Sequence, residues 1–122
     1  NYPNKEVNIE AIKKIEDESV LFDIFNQSND FNIKSNALIK INNQDRLLQI
    51  INKEKDYYVK ATAIKQIEDD RIIYDLLMEE KDTYVKKEVV VKMKNKELLK
   101  ELAGIEKDYD VKAVINKTIS EL

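Results

Sequence analysis

One spacing governs what this chain can become. An aliphatic residue followed by lysine recurs as Ile33-Lys34, Val59-Lys60, Val85-Lys86 and Val111-Lys112, each pair 26 residues from the last, and one further step back lands on Val7. Three residues ahead of these anchors stand Asn4, Asp30, Asp56, Asp82 and Asp108. Four residues after them stand Ala11, Ala37, Ala63, Val89 and Ile115, and eight after them Ile15, Ile41, Ile67, Met93 and Ile119. No insertion interrupts the register. Self-similarity at a fixed period of this length is the signature of a stacked array, each copy being one supersecondary unit that cannot bury its apolar stripe alone.

Each copy holds two helical patterns. Val59, Ala63, Ile64 and Ile67 are spaced to lie on one face of a helix, and Asp56 precedes them where an N-cap belongs, its carboxylate able to accept the free backbone N–H groups of the first turn. A second acidic or amide residue follows at Asp69, aligned with Asp17, Asn43 and Asn95, and opens the run Ile72, Ile73, Leu76 and Leu77. The spacing predicts helices over 4–16, 17–27, 30–42, 43–53, 56–68, 69–79, 82–94, 95–105 and 108–121, joined by loops of two or three residues. The expectation is an all-α chain of about nine helices in antiparallel pairs, a single domain over 1–122 with about four and a half copies.

Composition narrows the chemistry. One Gly and one Pro are too few for a hairpin-rich β protein or a flexible linker, and 37% charged residues suit helices with wet outer faces. With no Cys and no His, disulfides, zinc–thiolate sites and histidine acid–base chemistry are absent outright. No nucleophile–base pair or phosphate-binding loop stands out, so no catalytic residue and no cofactor is assigned, and the chain reads as a non-enzyme. The acidic clusters Glu16-Asp17-Glu18 and Glu68-Asp69-Asp70 fall at helix junctions, where acids suit a helix start, and lack the glycine-containing loop of a calcium site, so no metal ligand is assigned either. Net charge of −3 disfavours a nucleic-acid grip, and no apolar run reaches the ~18 residues of a membrane span, so a cytoplasmic chain away from membranes is expected.

The segment Asp-Tyr-Tyr-Val-Lys-Ala-Thr-Ala-Ile-Lys-Gln-Ile at 56–67 resembles the second helix of HEAT-like repeats, in which Asp, Val-Arg or Val-Lys, Ala and an aliphatic residue follow at this spacing. The segments at 30–41, 82–93 and 108–119 are similar. The resemblance covers nearly the whole chain and implies a right-handed α-α superhelix, a HEAT-like solenoid, whose second helices line a concave face. It says little about function, since such arrays serve many roles. The 26-residue period is shorter than most repeats of that family, which implies that the first helix of each pair is clipped or partly 3₁₀. The anchor is Lys where many members carry Arg, without the two-pronged geometry of a guanidinium.

Three columns carry the functional reading. Lys34, Lys60, Lys86 and Lys112 lie between apolar columns, so their stems are expected to pack while their ammonium groups reach out, with Asp30, Asp56, Asp82 and Asp108 as partners in a structural ladder. On the far side of the second helices run Asn32, Tyr58, Tyr84 and Asp110, beside Lys13, Ile39, Lys65, Val91 and Lys117, with Ser35, Ala61 and Lys87 between. Tyrosine combines apolar area with a polar tip at small entropic cost, so Ile39, Tyr58, Lys65, Tyr84, Lys87 and Val91 are the candidate partner-binding residues. Phe22, Leu48, Tyr74 and Lys100, on the first helices, are explained by packing between successive copies.

At the ends, Pro3 suits the approach to a first helix, and Asn116 interrupts a column otherwise filled by Ile12, Leu38, Ile64 and Val90, consistent with a solvent-facing last copy or with a fragment of a longer array. The expectation for function is a monomeric scaffold that holds a protein or peptide partner on the outward face of the second helices. The alternatives are a nucleic-acid-binding HEAT-like module, to which Lys13, Lys65, Lys87 and Lys117 would contribute against the interrupting Glu10, Glu16, Glu68 and Glu88, or a non-catalytic accessory subunit of an enzyme.

Overall fold

Eight acidic or amide side chains decide where the helices begin. In a computed structural model describing residues 5–122, with side chains from Ile9 onward, Asp17, Asp30, Asn43, Asp56, Asp69, Asp82, Asn95 and Asp108 each adopt extended backbone and accept a hydrogen bond from a first-turn amide. These groups are the orphan donors of a helix N-terminus, and an oxygen at the cap satisfies them locally. The helices are α1 Lys5–Lys14, α2 Glu18–Gln27, α3 Phe31–Leu38, α4 Gln44–Lys53, α5 Tyr57–Lys65, α6 Asp70–Glu79, α7 Thr83–Val90, α8 Lys96–Ile105 and α9 Tyr109–Ser120. Among the described residues the chain is all-helical, with no strand. The expected cap Asn4, the approach through Pro3 and the anchor side chain of Val7 lie outside the described residues.

The helix ends depart from the expected spans. The even-numbered helices α2, α4, α6 and α8 each run a full 10 residues. It is the other set that is shortened: α3 and α7 have 8 residues and α5 has 9. The expectation that the first helix of each pair is clipped is therefore corrected; the second helix is, in α3, α5 and α7, whereas α9 runs 12 residues. Each shortened helix ends in tightened i→i−3 bonds, as in Ile41 N–H to Leu38 C=O at 2.9 Å, Ile67 to Ile64 at 3.0 Å and Met93 to Val90 at 3.1 Å. The overwound turn carries Ile41, Ile67 and Met93 inward, where all three are buried. The connections after α3 and α7 lengthen accordingly to residues 39–43 and 91–95, beyond the two or three residues expected.

The odd-numbered helices contact one another in succession, α1 with α3, α3 with α5, α5 with α7 and α7 with α9. The even-numbered helices pack on this row through α2 with α3, α4 with α5, α5 with α6 and α8 with α9. Helix starts advance by 26 residues in both sets, from Phe31 to Tyr57, Thr83 and Tyr109, and from Glu18 to Gln44, Asp70 and Lys96. One continuous core lies between the sets. Ala37, Ala63, Val89 and Ile115 line it from the odd helices, and Leu21, Leu47, Ile73 and Leu99 from the even ones, all nearly inaccessible. Asn116 is exposed, whereas its counterparts Ile12, Leu38, Ile64 and Val90 are buried.

Three sets of polar contacts tie neighbouring units together. In the first, the lysine column is half-buried as expected from Lys34 to Lys86, and the Lys34 ammonium lies 4.8 Å from the centre of the Phe25 ring. Its partners are glutamates, which corrects the expected Lys–Asp ladder. Lys34 meets Glu54 at 3.0 Å, Lys60 meets Glu80 at 2.7 Å and Lys86 meets Glu106 at 3.2 Å. The second oxygen of each glutamate accepts the backbone N–H of Asp56, Asp82 or Asp108, and those aspartates turn their own carboxylates to the caps of α5, α7 and α9. The Asp column thus joins the ladder through its backbone. Asp30 likewise caps α3. Lys112 is exposed and has no ion pair among the described residues.

In the second set, a side chain just past one odd helix closes the C-terminal carbonyls of the previous one. Lys40 donates to Ile12, Lys13 and Ile15; Gln66 donates to Leu38 at 2.9 Å and Ile41 at 2.7 Å; Lys92 donates to Lys65. In the third, the first residue of an even helix reaches the amides ahead of the next even helix. Glu18 accepts from Asn42 and Asn43, Gln44 from Glu68, and Asp70 from Lys94 and Asn95. Within the acidic clusters at the junctions, the carboxylates of Asp17, Glu18, Asp69 and Asp70 are thereby committed to backbone amides. Asp17 accepts both the amide and the hydroxyl of Ser19, which hold its carboxyl below the usual range.

Candidate functional site

In α3, α5, α7 and α9 the residues i, i+3, i+4 and i+7 of the first two turns lie along one side of the helix. On α3 these are Asn32, Ser35, Asn36 and, at the C-cap, Ile39; on α5, Tyr58, Ala61, Thr62 and Lys65; on α7, Tyr84, Lys87, Glu88 and the C-cap Val91; on α9, Asp110, Ala113, Val114 and Lys117. Because the odd helices touch in sequence, the four sets form one face.

Of the expected residues, Ile39 is 59% exposed, Tyr58 51%, Tyr84 39% and Val91 58%, fractions that set them apart from the buried core of the same helices. Lys65 is half-buried and pairs with Glu88 across the α5–α7 boundary at 3.1 Å. Lys87 is half-buried and has no ion pair among the described residues. The strip expected between the two outer columns is not open. Ala61 is 1% exposed and Ser35 is half-buried with its hydroxyl inaccessible, so both belong to the floor beneath the face, which corrects their expected place on it.

Two participants were missed at the level of sequence. Phe31 is 44% exposed and its ring packs against Tyr58, centroids 5.3 Å apart and planes tilted by 55°. That geometry is one of the favoured edge-tilted arrangements of aromatic pairs. The signal was available, since Phe31 aligns with Tyr57, Thr83 and Tyr109 at the first position of the odd helices. Glu88 was read only as an interruption of a basic surface, whereas it fixes Lys65 beside Tyr84. Partial burial and then the Glu88 carboxylate push the Tyr84 phenol above its usual range, so it stays a neutral hydroxyl at physiological pH and can donate or accept a hydrogen bond.

The remaining column behaves as packing. Phe22, Leu48 and Tyr74 are half-buried against the core, with Arg46 5.9 Å from the Phe22 ring centre and Arg71 5.2 Å from that of Tyr74. Lys100 is exposed and lies 3.9 Å from Glu97. A depression of about 200 Å³ between α4, α5 and α6 is lined by Ile51, Lys60, Ile64, Leu76 and Glu80, and the Lys60–Glu80 ion pair occupies its wall. Among the described residues no helix is long and apolar enough to cross a membrane, and no group of three or more acidic side chains is placed to hold a metal ion. Comparison of the chain with protein-family models, curated proteins and solved structures found no match.

Proposed function

We propose that this chain is a non-catalytic, monomeric scaffold that holds a protein or peptide partner on the face formed by Phe31, Ile39, Tyr58, Lys65, Tyr84, Lys87 and Val91. The observation that carries the reading is the exposure of Ile39, Tyr58, Tyr84 and Val91 on one row of helices whose core positions are otherwise filled. Isolated exposed apolar residues need no explanation, but four of large size on one row of helices, one of them paired with the exposed Phe31 ring, favour a contact surface. We read the architecture behind it as a HEAT-like solenoid, a right-handed superhelix of 26-residue units with the odd helices on its concave side. The equal advance of the helix starts and the recurring contacts between units support that reading.

Affinity capture from native cell lysate, with the wild-type chain and with a Tyr58→Ala/Tyr84→Ala variant of unchanged helicity, tests the function. The variant should lose the captured partner; equal capture by both chains sinks the assignment to this face. Deleting residues 57–82, one full unit, tests the architecture. A folded, shorter chain with the same helical content per residue is expected, and an unfolded one counts against an array of equivalent units.

A further inference from the structure

Charge is divided between the two sets of helices. With their N-caps, helices α3, α5, α7 and α9 carry seven lysines against six acids, Glu88, Asp110 and the four cap aspartates, whereas α2, α4, α6 and α8 with theirs carry ten acids against five bases. Three of the seven lysines are answered by Glu54, Glu80 and Glu106, and Lys65 by Glu88. Lys87, Lys112 and Lys117 have no ion pair among the described residues, so the odd-helix side offers free cations while the acidic excess of a chain of net charge −3 lies on the even-helix side. Such a division sets up a field that draws an acidic group to one side of the molecule.

The spacing of the anchors adds shape to that charge. Tyr58 and Tyr84 occupy equivalent positions on touching helices, whose axes pack at about 8–10 Å. An extended chain in the polyproline II conformation rises about 3.1 Å per residue with three residues per turn, so every third side chain returns to the same side and would meet a successive odd helix. Single-stranded nucleic acid fits less well. It needs a run of unpaired cations to follow its phosphates, and four lysines here are already paired, while both arginines, Arg46 and Arg71, sit on even helices.

Building on the scaffold reading above, we propose that the occupant of this face is an extended acidic peptide. Its apolar side chains lie against Phe31, Tyr58 and Tyr84, and its carboxylates on Lys87 and Lys117. The scaffold reading concerns where a partner binds; the present inference concerns what that partner is made of.

Selection of random twelve-residue peptides displayed on phage against the whole 122-residue chain separates the two. Enrichment of peptides rich in Asp and Glu with interspersed aliphatic or aromatic residues is expected. For an enriched peptide measured by fluorescence anisotropy, Lys87→Glu should weaken binding about tenfold. Binding should also weaken as salt rises from about 50 to 500 mM, because these charges are exposed enough to be screened. Tyr58→Ala should weaken the same peptide, and Lys13→Glu, at the far end of the row, should change it little. Enrichment of basic or uncharged peptides that still require Tyr58 would overturn the acidic partner and leave the scaffold reading standing. Enrichment that ignores both Tyr58 and Lys87 would overturn both. Tighter binding of a labelled fifteen-nucleotide oligouridine than of any enriched peptide, lost in Lys87→Glu, would replace the peptide with nucleic acid. Concentration-dependent self-association of the chain, blocked by Lys87→Glu, would replace it with the acidic even-helix side of a second copy.

Discussion

Replacing Lys60 with methionine isolates the electrostatic part of the ladder, because the new side chain keeps most of the apolar stem and removes only the ammonium. In the folded chain that ammonium lies 2.7 Å from Glu80, whose side chain is 6% exposed while that of Lys60 is 25% exposed. Breaking a fully buried pair costs about 3–5 kcal/mol, because a charge is left without compensation, whereas an exposed pair contributes only about 0–1 kcal/mol. Water can reach the lysine end, and the amides of Asp82 and Lys81 continue to donate to Glu80, so the cost falls between these limits, at about 2 kcal/mol. For a chain of this size that is a fall of roughly 8 °C in melting temperature, read by circular dichroism at pH 7. Lys13→Met, which removes an exposed pair with Glu10, is the control and should change stability by less than about 0.5 kcal/mol.

The pH dependence supplies an independent check on the same substitution. Burial raises the Glu80 carboxyl, but the Lys60 ammonium and the two amides outweigh it and hold the group below its ordinary value of 4.5. A carboxyl depressed in the folded state stabilises it above the unfolded value and loses that contribution as pH falls through the folded one. The gap between the wild type and Lys60→Met should therefore be widest near neutrality and close in acid below 4.5. Adding Glu80→Gln to Lys60→Met should recover part of the loss, since the uncompensated charge is gone while an acceptor oxygen remains. A Lys60→Met melt indistinguishable from that of Lys13→Met, or a gap that persists unchanged in acid, would refute the reasoning.

Three further outcomes follow from the same contacts. Gln66→Leu removes the donor to the Leu38 and Ile41 carbonyls and should cost about 1–2 kcal/mol in urea unfolding, whereas Gln66→Lys, which copies Lys40 and Lys92, should cost little. Asp56→Ala removes the cap of α5 and should cost about 1 kcal/mol, with Asp56→Asn close to wild type in the same measurement. Tyr58→Ala and Tyr84→Ala should each lower stability by less than about 1 kcal/mol, in contrast to about 2–5 kcal/mol for Ile64→Ala beneath them, as compared by thermal melts.

The sequence alone determined the helices and their order. A helix start depends on a side-chain oxygen within three residues, and a buried stripe depends on spacing along one helix, so both are local and were legible from Asp56, Val59, Ala63 and Ile67. It also placed Ile39, Tyr58, Tyr84 and Val91 outside the core, since they fall off that stripe. Only the tertiary structure decided the partners. Glu80 lies 20 residues beyond Lys60 and Gln66 lies 28 beyond Leu38, and no local spacing says which acid or carbonyl a lysine or glutamine will reach once units pack. The same packing overwound the ends of α3, α5 and α7 to bring Ile41, Ile67 and Met93 into the core, covered Ala61, and set the Phe31 ring against Tyr58. A helix pattern states which side chains face away from their own stripe. Whether such a side chain becomes floor, ladder or open surface depends on how closely the next helix approaches, and that distance is a property of the packed helices.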